Sequence, residues 1–351
     1  MPAAPIRIDG SHGEGGGQLL RTAVALAAIT GRRLTIDNIR ARREKPGLAP
    51  QHVAAVRAVG AVCDAAIDGL AVGSTALTIV PERLHGGDFR VDVGTAGSVT
   101  LVLQALLPVI AAAGAPATVV VRGGTDVRAA PPLDYFRAVT LPLLARLGIP
   151  TELEIRRRGY FPRGGGEIAL SVGAATLRSV DFAVRGAVQH VTGIAHVSGL
   201  DIDVARRMRA AALDRLAAVP DTDPAIEIVV LAPAQGAGHG GAIVAWADAA
   251  HTTLGAGRVA ERGVRAEVLG TAVGAELAAD LASGATLDVH AADQLPVYLA
   301  LAGGGSFSCR ELTRHAQTAI WLLEQFLPTR FHVRTEGPLT RVRAAQRETP
   351  R

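Results

Sequence analysis

Residues 7–31 read RIDGSHGEGGGQLLRTAVALAAITG: a short apolar–polar alternation, a turn of small residues, then an apolar run closed by glycine. The alternation predicts a half-buried strand, and the run predicts a buried helix with Gly31 just past its end. Residues 90–114, RVDVGTAGSVTLVLQALLPVIAAAG, repeat the pattern without a gap. Asp9 falls on Asp92, Gly13 on Ala96, Arg21 on Gln104 and Gly31 on Gly114. The continuations repeat as well. After Gly31 come a strand LTIDNI, a helix from about Pro50 to Ala61 and a strand ALTIV. After Gly114 come a strand ATVVVRG, a helix from about Pro132 to Leu147, and strands TELEIRR and EIALSV. A third, shorter copy begins at TLDVHAADQL around Thr286. It continues through a helix ending near Gly303, a strand SFSC, a helix from Thr313 to Phe326, and strands RFHVRT and TRVRA.

The stretch 184–280 does not follow the repeat. It predicts strands near Val188–His196 and Ile226–Leu231, helices near Asp203–Ala217 and Thr271–Leu281, and a glycine-rich loop QGAGHGGA. The expected fold is therefore α/β (α+β). A large domain of three β-α-β-α-β-β repeats, residues 1–183 plus 281–351, carries a small inserted α/β domain at 184–280.

Composition narrows the classes. The chain has 351 residues, 49% of them hydrophobic and 19% charged, which excludes disorder over most of its length. The longest apolar stretch, Val99–Gly114, is interrupted by Gln104 and Pro108 and is too short to span a bilayer, so no membrane association is expected. The N-terminus shows no basic segment leading into an apolar run, and Cys63 and Cys309 lack metal-ligand spacing. Both point to a cytoplasmic protein. The net charge of +4 suits an anionic partner such as a nucleotide or nucleic acid. Only one lysine, Lys45, is present, so a lysine nucleophile would have a single candidate.

Four segments carry candidate chemistry. In Gly13-Glu14-Gly15-Gly16-Gly17-Gln18, glycines before a helix let backbone N–H groups approach an anion, with Arg21 one turn inside to meet phosphate and Glu14 to hold a divalent cation. The loop Arg40-Ala41-Arg42-Arg43-Glu44-Lys45-Pro46-Gly47 concentrates guanidinium forks suited to phosphate oxygens. His290-Ala291-Ala292-Asp293-Gln294 is expected in the turn after the third copy's first strand, the place the glycine loop holds in the first copy. His315 falls in the first turn of the last long helix, where a neutral imidazole is a competent phosphorus nucleophile and the helix N-terminus disfavours imidazolium. Each segment also has a plainly structural reading: a tight turn, a solvated basic loop, Asp293 as a helix N-cap, a structural histidine. His52 sits in the first copy much as His315 does in the third.

Taken together the motifs resemble the RNA 3′-terminal phosphate cyclase family. The resembling pieces are DGSHGEGGGQLLR, IRARREKPGL with Gln51-His52, VGTAGSVTLVLQ, GGTDVRAAPPLDY, RGYFPRGGGE, HAADQLPVYLALAGGG and RHAQTAIWLLEQFLPTRF. They run in family order from Asp9 to about Arg343. The resemblance implies an enzyme that uses ATP and Mg2+ or Mn2+ to close a 2′,3′-cyclic phosphodiester on RNA ending in a 3′-phosphate, through histidyl-AMP and RNA-adenylate intermediates. It implies that His315 is the adenylylated histidine. Gln104, Pro131, Tyr135, His290, Ala291, Ala292, Asp293 and Gln294 would contact ATP, and Glu14, Arg21, Arg40 and Arg43 would handle metal and phosphate. Two departures stand out: His290 occupies a place where an aromatic or aliphatic residue is expected, and Ala319 a place where relatives carry asparagine.

Rival readings are weaker on residues. A non-catalytic relative in ribosome assembly would lack the His315, Gln104 and Asp293 set. An enolpyruvyl-transferase-like enzyme needs a longer chain and substrate lysines. A lysine-adenylating ligase needs Lys-x-Asp-Gly, whereas Lys45 is followed by Pro46-Gly47. A family variant adenylating other nucleic-acid ends shares every residue named, and a homodimer is left open.

Overall fold

The structure is a computed structural model and describes residues 4–346. The first repeat runs β1 (Ile6–Asp9), α1 (Gly17–Thr30), β2 (Leu34–Asp37), α2 (Pro50–Val62), β3 (Ala66–Asp68), β4 (Leu77–Val80). The second runs β5 (Gly87–Asp92), α3 (Val99–Ala113), β6 (Ala117–Gly123), a helix, β7 (Thr151–Gly159), β8 (Gly166–Val172). Its second helix starts as α4 (Leu133–Tyr135), passes through a π-helical turn (Phe136–Thr140) and ends as α5 (Leu141–Arg146). β9 (Val180–Asp181) precedes the stretch that breaks the pattern: β10 (Val188–Ser198), α6 (Ile202–Leu216), β11 (Ala225–Leu231), β12 (Gly236–Ala237), β13 (Gly240–Ala249), β14 (Thr253–Val259), α7 (Ala266–Ser283). The chain then continues as α8 (Val289–Gln294), α9 (Pro296–Leu301), β15 (Gly304–Cys309), α10 (Arg314–Phe326), β16 (Thr329–Glu336), β17 (Leu339–Gln346).

Strand order shows the repetition directly. The sheets run β1-β2-β4-β3, β5-β6-β8-β7 with β12 added at the edge, and β9-β15-β17-β16. In each, the first pair is parallel and the next two are antiparallel. The helices α1, α2, α3, α9 and α10 pack on one another, with α1 against α2, α3 and α10. Its alanine-rich sequence buries Ala23, Val24, Ala25, Leu26 and Ala27 all round, so neighbouring helices approach closely. Gly31 and Gly114, at φ 63° and 66°, end α1 and α3 as the aligned glycines predict. Sheets cover this helical core, and alternation along their strands leaves the other face to solvent.

The third repeat departs from expectation at its start. Residues 286–288 form no strand, and His290–Gln294 lie inside α8 rather than in a turn. The parallel partner of β15 is β9, before the insert. Phe182 N donates to Ser306 O, and the next acceptor along that edge, Ser308 O, takes Thr286 N and Leu287 N. One strand position is thus filled by two pieces of chain, and we place the insert at 183–285, inside that strand. The expected return at residue 281 falls within α7.

The insert has its own sheet, β11-β10-β13-β14, with α6 and α7 packed on it around Ala205, Met208, Val273 and Leu277. Its hairpin β13–β14 went unread in the sequence, because glycines and alanines blur the alternation. Within QGAGHGGA, Gly236–Ala237 form β12, which pairs with β7, and only Gln235, Gly238 and His239 are left as loop. Gly240 already belongs to β13, where a Cβ would overlap the Tyr160 ring.

Candidate active site

A cleft of about 770 Å³ opens where α1, α8 and α10 begin, walled by the arginine loop after β2, the segment before α4 and the end of β14. The glycine turn builds one side. Gly13 and Gly15 both have φ of 58°, in the left-handed region that glycine tolerates. A side chain on Gly13 would overlap Thr318 of α10, so the first and third repeats meet at this corner.

Glu14 is carried into the cleft by that turn, with a side chain only 6% exposed. Its Oε2 accepts from Arg43 Nη2 at 2.5 Å. Oε1 lies 3.6 Å from His315 Nδ1 and has no hydrogen-bond partner among the described residues. Burial pushes this carboxyl up, but the neighbouring His315 and Arg43 outweigh it and hold Glu14 below its ordinary range. Arg40, at φ 53°, donates from Nη1 to Gly47 O at 2.7 Å, which closes the loop. Arg21 is buried and makes no ion pair among the described residues; burial brings its guanidinium down to about 10.

His315 stands in the first turn of α10, with its side chain 48% exposed. Thr313 caps that helix: its Oγ1 accepts from His315 N at 3.0 Å and Ala316 N at 3.1 Å and donates to Asp293 Oδ1. The helix N-terminus does not set the direction of the His315 shift. Contact with Glu14 raises the His315 pKa, and the Asp293 charge adds to it, against burial and Arg43. Asp293 itself is pushed up by burial. Nor is Asp293 the N-cap of α8. That role belongs to the buried Asp288, whose Oδ1 accepts from His290 N and Ala291 N, both at 2.9 Å, and from Tyr135 Oη at 2.7 Å.

The cleft is also lined by Gln104, Pro131, Tyr135, His290 and Gln294. Pro131 O accepts from Thr100 Oγ1 at 3.0 Å, which pins that segment to α3. His290 Nε2 lies 2.9 Å from Glu276 of the insert, which in turn meets Arg258 at 2.6 Å. Burial lowers the His290 pKa, and Glu276 and Asp288 more than compensate. The structure therefore gathers His315, Glu14, Arg21, Arg40, Arg43, Gln104, Pro131, Tyr135, His290, Asp293 and Gln294 around one cleft. It leaves out Ala291 and Ala292, which are buried in the core behind α8.

Sequence reading missed Arg128, Arg258 and His52 as cleft residues. Arg128 sits within a motif that was noticed, and His52 within another. Arg258 lies in the insert, where no motif pointed to it. His52 is buried, and burial followed by the charges of Arg21 and Arg40 lowers its pKa to about 3, so it is a neutral neighbour of the arginines. Five arginines line the cleft (Arg21, Arg40, Arg43, Arg128, Arg258) against three carboxylates (Glu14, Glu261, Asp293), a balance suited to a polyanion. No group of three or more metal-ligating side chains occurs among the described residues. The orphaned Glu14 Oε1 offers one hard oxygen, which fits a Mg2+-type ion completed by phosphate oxygens and water rather than a protein cage.

Fold and site together define a repeat-built α/β enzyme whose arginine-lined cleft has an accessible imidazole at its edge. The chain belongs to the RNA 3′-terminal phosphate cyclase family, whose model matches residues 12–333. Relatives named RNA 3′-terminal phosphate cyclase include one from Nitrosospira multiformis, 52% identical over 339 residues, covering 96% of each chain. Another, from Pyrobaculum neutrophilum, is 44% identical over 336 residues, covering 95% of this chain and 96% of its own. A third, from Ralstonia nicotianae, is 42% identical over 346 residues, covering 98% and 97%. Among solved structures, the enolpyruvyl transferase NikO from Streptomyces tendae aligns over 97% of this chain and 48% of its own, at 12% identity and a TM-score of 0.38, too distant to bear on function. No helix among the described residues is long and apolar enough to cross a membrane.

Proposed function

We propose that this enzyme converts the 3′-phosphate of RNA to a 2′,3′-cyclic phosphodiester at the expense of ATP, with His315 as the residue that carries AMP. The observation that carries this reading is the pairing of a half-exposed His315 with Glu14 at the edge of an arginine-lined cleft. Nδ1 is the ring nitrogen beside Glu14, so its proton faces the carboxylate and the Nε2 lone pair is left free. Nε2 attacks the α-phosphorus of ATP; the N–P bond forms as the bond to pyrophosphate breaks. The ring becomes positively charged in that step, and Glu14 stabilises it. Arg21, Arg40 and Arg43 hold the phosphates, while Pro131, Tyr135 and His290 form the wall against the base.

In the second step an oxygen of the RNA 3′-phosphate attacks the AMP phosphorus, the N–P bond breaks, and neutral imidazole is restored. In the third, the vicinal 2′-hydroxyl attacks the 3′-phosphorus, loses its proton and expels AMP. Mg2+ or Mn2+, when bound at Glu14, supplies charge neutralisation for the phosphates.

Incubation with α-labelled ATP and a divalent metal is expected to label the wild-type protein covalently with an acid-labile bond. His315→Ala should lose the label entirely while keeping its circular dichroism spectrum. Adding 3′-phosphorylated RNA should discharge the label and leave a phosphatase-resistant end. Labelling that survives His315→Ala would remove this residue as the nucleophile.

A further inference from the structure

The three repeated sheets provide an internal comparison of their outer faces. On the first, Arg7 pairs with Asp37 at 2.7 Å, and Thr35 meets Thr78. On the second, Arg156 pairs with Glu154 and Glu167, and Arg122 with Glu167. On the third, Arg330 pairs with Glu324 near the start of β16, and the pairing thins further along. In the β16–β17 register His332 lies opposite Arg343, and Arg334 opposite Arg341. All four are exposed, while the alternate residues Val342 and Ala344 are buried against the core. The three arginines and His332 therefore share one solvent face. Arg341 lies 3.7 Å from the exposed Glu336, and the other nearby carboxylate, Asp181, accepts from Ser306. Arg334 and Arg343 have no carboxylate partner among the described residues.

Arg334 and Arg341 are like charges directly opposite each other, which is unfavourable in a sheet, so folding alone does not explain this arrangement. Protection of a sheet edge from aggregation explains cations on β16 but not on β17, which lies between β15 and β16. The location is also informative. Arg341 pairs across the ladder with Ser308, and seven residues further on stands His315. Seven residues reach at most about 25 Å, so the cationic face lies within a few nucleotides of the cleft.

We infer that the outer face of β16–β17 is a binding track for the phosphate backbone of single-stranded RNA upstream of its 3′ end, with Arg334 and Arg343 as its principal contacts. This rests on the reading of RNA as the substrate. Exposed guanidinium groups contact phosphates without reading sequence, so the track is indifferent to base identity and sensitive to salt.

The test uses the full chain and a 5′-fluorescent single-stranded RNA ending in a 3′-hydroxyl, which binds without reacting. Anisotropy is followed over a salt series for wild type and for Arg334→Gln/Arg343→Gln. Two lost phosphate contacts should reduce the log–log salt slope by about 1.4 and weaken binding roughly 25-fold at 0.1 M salt. Self-labelling by ATP should be unchanged. With 3′-phosphorylated substrates, kcat/KM should fall for a long RNA and stay at the wild-type value for a trinucleotide too short to reach the track. A double variant that binds long RNA with wild-type affinity and slope overturns the inference. So does an equal loss on the trinucleotide, because that would place the effect in the cleft or the fold. Wild-type protein that binds the RNA but never cyclises a 3′-phosphate would instead count against the proposed activity and leave the track standing.

Discussion

Asp280 sits on α7 sealed from solvent, with one oxygen 2.9 Å from Arg310 Nε and the other without a hydrogen-bond partner among the described residues. Burial raises its pKa to about 6, helped by the charges of Asp288 and Glu276 and opposed by Arg310. The folded state thus holds this proton more tightly than the unfolded chain. The stabilisation from that proton is fully present below the unfolded pKa near 3.8 and is lost as pH rises through about 6. A shift of this size corresponds to roughly 3 kcal/mol. Asp280→Asn has no such titration, so its melting temperature relative to wild type should climb by roughly 3 °C between pH 4 and pH 7. A constant offset between the two melting curves would show that Asp280 titrates normally. Nothing in the sequence marks Asp280, because its shift comes from burial that only the fold creates. Glu14 and His315 were legible for a different reason: Glu14 lies in the glycine turn before the first helix of one repeat and His315 in the first turn of the second helix of another, both at helix starts that the repeat pattern marks. The sign of the His315 shift was not legible, since it depends on a 3.6 Å contact between residues far apart in the chain.

At the scale of elements, the start of α10 fixes the imidazole. Thr313 caps the helix through two backbone donors and ties it to Asp293 on α8, so two helix ends are joined by one hydroxyl. Thr313→Ala removes both functions and is expected to cost about 1 kcal/mol in urea unfolding, the usual worth of such a cap. Self-labelling should slow more than that loss of stability suggests, because His315 is the second residue past the cap. Thr313→Ser should restore both; failure to do so would mean the methyl group, not the hydroxyl, matters. Element positions in the first two repeats were readable from glycine stops and apolar runs. The split first strand of the third was not. TLDV has strand composition, yet residues 286–287 supply only the last bonds of a ladder begun by Val180–Phe182. Sequence periodicity has no means of joining two half-strands separated by a hundred residues.

For the whole molecule the question is whether the insert melts with the repeats or apart from them. Most of its core forms a second cluster, which alone would favour independence, although Ile194 and Val244 pack into the main one. The seam between them is buried and polar, however. Arg158 bridges Asp126 at 3.2 Å and Asp134 at 2.8 Å, and His196 of β10 places its ring nitrogens 3.8 and 3.4 Å from the same two carboxylates. Asp288 takes Gly255 N of β14 at 2.9 Å, and Thr252 Oγ1 donates to Thr286 O at 2.7 Å. Unfolding the insert alone would take away the donor to Asp288 and open one wall of the cleft, while the half-strand it interrupts is anchored to β15 on both sides. Buried polar groups that lose partners are costly, so a state with only the insert unfolded should be poorly populated. Scanning calorimetry is therefore expected to show one transition with an enthalpy of roughly 250 kcal/mol and a calorimetric to van't Hoff ratio near one. Two resolved peaks, or a ratio near two, would show that the seam does not couple the units and that the insert folds as a free-standing domain. A nucleotide in the cleft would meet residues from both sides of the seam, Arg258 from the insert and Arg21 from the first repeat, so ATP should move that single transition upward as a whole rather than separating a shoulder from it.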